Sequence, residues 1–137
     1  EMCFGDLAYV SREDTSRVVR RWKSGEFQRR RLKFGWMPPH PTFYVRRELL
    51  KHYPFNLEYR ISGDYDVMLR LLLREIASVA YVPHELVRMR LGGASNSSLT
   101  NLLRKTREDW QVIRSNRVGG VVSLVGKNMR KLPQFLT

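Results

Sequence analysis

Apolar residues recur at helical spacing in the middle of the chain. Within RISGDYDVMLRLLLREI, at positions 60–76, the apolar side chains that would share one helix face are Tyr65, Met68, Leu69, Leu71, Leu72 and Ile76. The preceding Ser62-Gly63-Asp64 supplies the small and acidic residues that favour a helix start. The pattern predicts a helix that begins near Gly63 and buries its leucine face.

Shorter alternating patterns predict the other elements. Strands are expected at 7–10, 17–22, 42–45, 78–82 and 85–91. Helices are expected at 46–53, 99–117 and 120–136, and a long loop at 23–41. Strands and helices alternate up to about residue 91 and only helix follows, which predicts an α/β fold with a helical tail. We divide the chain into 1–96 and a C-terminal helical extension, 97–137.

Composition and charge limit the kinds of partner and site that the chain can have. The 137 residues are enough for one compact domain, and their net charge of +12 attracts phosphate groups of nucleic acids, lipids or nucleotides. Cys3 is the only cysteine, so an internal disulfide is impossible and a cysteine-based metal site is not expected. No apolar run approaches the ~20 residues of a membrane-spanning helix. The chain enters strand-like residues at once, and we expect it to be part of a longer protein.

Asp64 and Asp66 are the acidic residues with the clearest chemistry. On a helix they point about 200° apart, so they cannot both face one centre. Asp66 and Arg70 form an i,i+4 pair that predicts a surface salt bridge. Asp64, at the helix tip, either caps the helix or projects into a cleft. Asp-Tyr-Asp also has the D-x-D form that binds Mg²⁺ or Mn²⁺, but the residues before it make a poor strand, and we expect no metal ligands in this chain.

Three ordered segments resemble one enzyme family. GWMPPHPTFYVRRELL (35–50), YRISGDYDVMLRLL (59–72) and YVPHELVRMRLGGASNSS (81–98) resemble the C-terminal half of family-two glycosyltransferases. Those enzymes have the GT-A fold, a Rossmann-like α/β fold, and act in bacterial polysaccharide and lipopolysaccharide synthesis. The resemblance implies that residues 1–96 are the acceptor-side half of such a domain.

The resemblance assigns roles to individual residues. The family's acidic motif falls on Gly63-Asp64, with Gly where Glu is common, so Asp64 takes the place of the catalytic base. The Pro-His-Pro-Thr motif places His40 and Thr42 on the acceptor side, with Trp36 nearby as a sugar-stacking ring. The motif at 88–95 places Arg88, Arg90 and Ser95 near the donor diphosphate. Asp66 and Arg70 are expected to support the helix.

The resemblance also implies partners and a location. We expect a nucleotide-sugar donor, a saccharide or lipid-linked acceptor, and a divalent metal, Mg²⁺ or Mn²⁺, whose ligands lie outside this chain. The location would be cytoplasmic, with contact to the inner membrane surface. We expect no nucleic acid, since no zinc-finger, helix-turn-helix or RNA-recognition pattern is present. The alternatives are a basic nucleic-acid-binding module and a peripheral membrane-binding module without catalysis.

Two basic segments each allow two interpretations. Arg29-Arg30-Arg31 and Lys33 form either a solvated face or a contact to phosphate of a diphosphate or lipid. The helix at 120–136 is amphipathic and basic. It either packs its apolar face on the domain or lies on an anionic membrane.

Overall fold

The strands of the computed structural model form one mixed sheet around a central strand. The structure describes residues 1–74, 79–92 and 99–130. Its strands are β1 (Met2–Val10), β2 (Val18–Trp22), β3 (Tyr44–Val45) and β4 (Val79–Arg90). β2 and β3 pair antiparallel with the two ends of one edge of β1, and β4 pairs parallel along the other edge. Six of the nine residues of β1 are buried and the other three are half-buried.

The helices follow the predicted order with one addition. They are α1 (Arg29–Leu32), α2 (Arg47–His52), α3 (Gly63–Arg74), α4 (Leu99–Ser115) and α5 (Val121–Met129), and a 3₁₀ turn covers His40–Thr42. The short α1 lies inside the predicted loop at 23–41. Ile76 and the last residues of the predicted C-terminal helix lie outside the described residues. The α/β class is confirmed.

β4 is one strand where the sequence predicts two. Its register against β1 shifts between Phe4, which pairs with Tyr81, and Asp6, which pairs with Glu85. Two positions on β1 therefore span four on β4, around Pro83. Proline has no N–H to donate to a ladder, so it is accommodated in an irregularity of this kind.

The core lies between the sheet and two helices. α3 contributes its buried leucine face, as predicted, and α4 contributes Val112 and Ile113. Trp36, Met37 and Leu32 from the segment after β2 belong to the same apolar cluster. The helical part that the sequence places at 97–137 thus shares a core with the sheet over the residues that the structure describes. Within those residues, no helix is long and apolar enough to cross a bilayer.

Candidate functional site

The first turn of α3 brings Asp64 against His40. The Oδ2 atom of Asp64 lies 3.4 Å from Nδ1 of His40, and both side chains are partly exposed, at 37% and 55%. The other carboxylate oxygen, Oδ1, accepts the backbone N–H of Tyr65 at 2.7 Å. One oxygen therefore bonds to its own helix, while the second faces the histidine. The bond to Tyr65 agrees with the interpretation that Asp64 contacts its own helix, whereas projection into a cleft remains a prediction.

Thr42 fixes the turn that presents His40. Its Oγ1 atom lies 3.0 and 2.9 Å from the carbonyl oxygens of Gly5 and Pro39, either of which can accept its hydrogen, and the side chain is fully buried. Thr42 is therefore not free to bind a substrate, and its predicted substrate contact is corrected to a structural role. Because Gly5 belongs to β1, the turn is fastened to the central strand. The flanking prolines, Pro39 and Pro41, restrict the backbone of the same turn.

Trp36 belongs to the core. Its exposed fraction is 4%, its indole N–H donates to the carbonyl of Ser24 at 3.0 Å, and its ring packs edge-on against Phe4. An indole ring that stacks on a sugar must present an open face. The predicted stacking role is therefore corrected to a packing role.

Asp66 and Arg70 form the predicted ion pair in a more buried setting than the sequence indicates. Nη2 of Arg70 lies 2.8 Å from Oδ2 of Asp66 and also donates to the carbonyl of Pro54. The amide of Asn116 reaches the other oxygen of Asp66 at 3.3 Å. Because these partners hold Asp66 inside the fold, away from Asp64, the Asp-Tyr-Asp sequence does not fit a divalent metal ion. No group of three or more potential metal-ligating side chains occurs in 1–74, 79–92 or 99–130.

Arg88 and Arg90 are exposed on the same face of β4, as predicted. Nε of Arg88 donates to Glu85 at 2.7 Å, so part of its charge is already paired. Arg90 pairs in register with Val10, five residues along β1 from Gly5, which is about 16 Å at 3.3 Å per residue. The two arginines thus lie toward the other end of the sheet from His40. Ser95 lies outside the described residues.

A carboxylate on α4 accepts hydrogen bonds from the backbone that leads into α3. Glu108 is buried and accepts three consecutive backbone N–H groups, from Arg60, Ile61 and Ser62, at 2.8 to 3.2 Å. These are the residues that lead into α3, so Glu108 sets the position from which Asp64 projects. This role of Glu108 could not be predicted, because residue spacing within 99–117 does not show which distant amide groups a carboxylate will meet.

A buried charge cluster lies behind the same turn. Asp109 is 1% exposed and accepts from Lys105, Lys127 and the hydroxyl of Ser62 at 2.7 to 2.8 Å. Although burial would raise the pKa of Asp109, the two ammonium groups hold it below its ordinary value. A signal was present in the sequence: Asp109 lies four positions from Lys105 and shares a face with the apolar Val112 and Ile113.

Lys127 links this cluster to Asp64. Its ammonium group lies 3.4 Å from the ring centroid of Tyr65, the residue next to Asp64. Burial lowers the pKa of Lys127 to about 8, although Asp109 and Asp64 act in the opposite direction. Burial, with a smaller effect from Asp109, raises the pKa of Tyr65 above its ordinary value. The ammonium group of Lys127 therefore packs against the ring of Tyr65 in the first turn of α3, and Tyr65 itself stays neutral.

Four concave surfaces lined by described residues lie away from the Asp64–His40 pair. One of them lies on α5 and three lie around α4 and its ends. Residues 93–95, the end of the motif that the resemblance places near the donor diphosphate, lie outside the described residues. The structure thus brings Asp64 and His40 together, and holds them with Thr42, Glu108 and the charge cluster.

Comparisons of the chain with family models, characterised proteins and solved structures give no match.

Proposed function

We propose that this chain is the acceptor-side half of an inverting glycosyltransferase with the GT-A fold, and that Asp64 is its catalytic base. The observation that carries the proposal is the half-exposed carboxylate at the tip of α3, with one oxygen directed at the histidine of the Pro-His-Pro-Thr turn. The three segments that resemble family-two glycosyltransferases include both of these residues. The α/β class is the one such a domain requires.

The reaction needs one carboxylate at this position. Asp64 takes the proton from the acceptor hydroxyl while the hydroxyl oxygen forms a bond to the anomeric carbon of the donor. The bond from that carbon to the diphosphate oxygen breaks, and the nucleoside diphosphate leaves with the electron pair. The transition state resembles an oxocarbenium ion, and because the acceptor displaces the diphosphate in a single step, attack and departure occur on opposite faces of the sugar ring.

The surroundings of Asp64 suit a base that keeps its position. Its backbone is fixed through Glu108, and the ring of Tyr65 rests on Lys127. His40 is placed to contact the acceptor beside the base. Arg88 and Arg90 remain predicted contacts of the donor diphosphate. A divalent metal remains a prediction for the longer enzyme, with ligands outside this chain.

The deciding experiment is an activity assay of Asp64→Asn. The full open reading frame that contains this chain would be assayed with a panel of nucleotide sugars, together with Asp64→Asn and the matched surface variant Glu58→Gln. We expect Asp64→Asn to lower kcat by about 10²- to 10⁴-fold, because it removes general-base catalysis. Glu58→Gln should behave like the wild type.

Two results would count against the proposal. Full transfer activity in Asp64→Asn would show that another group is the base. Absence of transfer by the wild-type reading frame with every donor would reject the glycosyltransferase itself. His40→Ala supplies a further check, since loss of an acceptor contact should raise the acceptor KM more than it lowers kcat.

A further inference from the structure

Helix α5 carries its apolar residues on the outside. The side chains of Val121, Val122, Val125 and Met129, and of Phe34 in the loop after α1, are each 53 to 63% exposed. On the inner side of the same helix, Ser123 is fully buried and Lys127 bonds to Asp109. A surface helix normally shows polar residues to water and apolar residues to the core. α5 shows the reverse over most of its length.

These side chains form one continuous surface, which we call the α5 patch. Phe34, Val121, Val122, Val125 and Met129 line it, with Gly126 and Arg130. It is a shallow depression of about 530 Å³, and its described lining contains no acidic residue. Contiguous exposed apolar surface of this kind marks a site of interaction with a protein or a membrane.

Cations border the α5 patch. Nε of Arg130 donates to the carbonyl of Phe34 at 3.3 Å, which holds its guanidinium group against the patch. The hydroxyl of Ser123 donates to the carbonyl of Lys33 at 2.7 Å, so the exposed Lys33 lies beside the helix. Burial lowers the pKa of Arg31, and the positive charges of Arg130 and Arg30 lower it further.

We propose that the α5 patch binds the surface of a membrane that contains anionic phospholipids. Apolar side chains bordered by cations, with no carboxylate among the described lining residues, match a bilayer, whose apolar interior lies beneath negative headgroups. The rim of a typical protein interface, in contrast, offers polar partners of both signs. At nine residues α5 is about 13 Å long, too short to span a bilayer, so it would lie in the plane of the headgroups. The proposal rests on this surface and not on the proposed glycosyltransferase activity.

Vesicle sedimentation of the 137-residue chain tests the proposal. We expect binding to vesicles of phosphatidylcholine with phosphatidylglycerol, little binding to phosphatidylcholine alone, and weaker binding as salt is raised. The double variant Val125→Gln/Met129→Gln should weaken binding at least tenfold, because it removes apolar groups that enter the bilayer. Phe34→Gln is a second apolar variant, outside α5, should the double variant fail to fold by circular dichroism.

A pair of charge variants tests whether binding depends on the cations beside the α5 patch or only on the net charge of the whole protein. Arg30→Gln/Lys33→Gln should weaken binding by about thirtyfold. Arg104→Gln/Arg107→Gln removes the same charge from an exposed face of α4 and should have little effect. Equal losses in the two variants, or unchanged binding by both apolar variants, would overturn the proposal. So would sedimentation-velocity evidence of a dimer that Val125→Gln/Met129→Gln dissociates while vesicle binding is absent. No nucleotide sugar is needed, so the outcome is independent of the Asp64 assay.

Discussion

At the scale of single residues, two aspartates two positions apart have different surroundings. Helical geometry predicts that they point to different sides, and it predicts the pair between Asp66 and Arg70. Both expectations are confirmed. The other side-chain partner of Asp66, Asn116, lies 50 positions away and could not be predicted, because side-chain spacing within one helix contains no information about distant contacts. The same limit explains why Thr42 and Trp36 were expected at a substrate and are found in the core.

Glu108 gives the first stability prediction. Glu108→Ala would leave one buried and two partly buried N–H groups without their acceptor, and we expect it to lower the free energy of unfolding by about 3 kcal/mol. Glu108→Gln keeps one acceptor oxygen and should cost less. Urea unfolding followed by circular dichroism measures both. The exposed Glu58→Ala is the matched control, with an expected change below about 0.5 kcal/mol. An equally small change in Glu108→Ala would show that these hydrogen bonds are not important for stability.

Asp109 gives the second prediction, which concerns pH. Asp109→Asn would leave Lys105 and Lys127 without their shared counter-charge, and should cost about 3 kcal/mol near neutral pH. The folded-state pKa of Asp109 is below its ordinary value of 3.8. Its stabilisation is therefore fully present above that value and is lost as pH falls through the lower, folded pKa.

Unfolding curves of wild type and Asp109→Asn between neutral and acid pH check this sign. The wild type should lose more stability on acidification than the variant does, so that the difference between them shrinks. A constant difference across the whole range would contradict the ion-pair explanation. Asp14→Asn is a suitable control, because Asp14 is an exposed aspartate whose pKa is also lowered, by hydrogen bonds to Ser16.

At the scale of elements, long periodic segments were predicted well and contacts between backbones were not. The leucine pattern predicted the start of α3 near Gly63 and its buried side, since its apolar face is also its buried face. α5 was predicted as a helix, but which of its faces lies inward depends on glycines. Gly35 and Gly126 let the loop after α1 touch the helix backbone: a Cβ on Gly35 would collide with Ser123 and Lys127, and one on Gly126 with the carbonyl of Phe34. Hydrophobic periodicity reflects which side chains are buried and contains no information about contacts between backbones.

Gly126→Ala therefore reverses a common expectation. In a helix this change usually stabilises, by up to about 1 kcal/mol. Here the new methyl group would push α5 off the carbonyl of Phe34 and pull Lys127 away from Asp109, so we expect a loss of at least 1 kcal/mol. Gly63→Ala, in α3, is the matched control, because a Cβ on Gly63 would lie at ordinary van der Waals distance from its neighbours Phe55, Asn56 and Tyr59. Thermal unfolding should separate the two variants, and a stabilised Gly126→Ala would contradict this account of helix docking.

At the scale of the whole molecule, the chain combines one apolar core with a large excess of positive charge. Hydrophobic pattern and composition predicted the α/β class and the helical tail. They could not show that α4 and α5 complete the core and support Asp64, because α4 places two acidic residues on its buried side. The functional assignment rests on the resemblance of short segments and on the geometry of Asp64 and His40.

The net charge of +12 predicts a salt dependence of stability. Like charges repel in the compact state, and added NaCl screens that repulsion more than it weakens the buried pairs of Asp109 and Asp66. We expect Tm to rise as NaCl is increased, by about 4 °C for each kcal/mol gained in a chain of this size. A fall in Tm would mean that exposed ion pairs, such as Arg21 with Glu85, outweigh the repulsion. Differential scanning calorimetry makes the measurement.

The bond between Glu108 and the start of α3 has a consequence for synthesis of the protein. The three backbone N–H groups that donate hydrogen bonds to Glu108 lie 46 to 48 residues earlier in the chain. A ribosome makes the chain from its N-terminus, so β1, the histidine turn and the leucine helix emerge before their anchor does. The nascent polypeptide therefore cannot hold the start of α3 in this position until translation has passed α4.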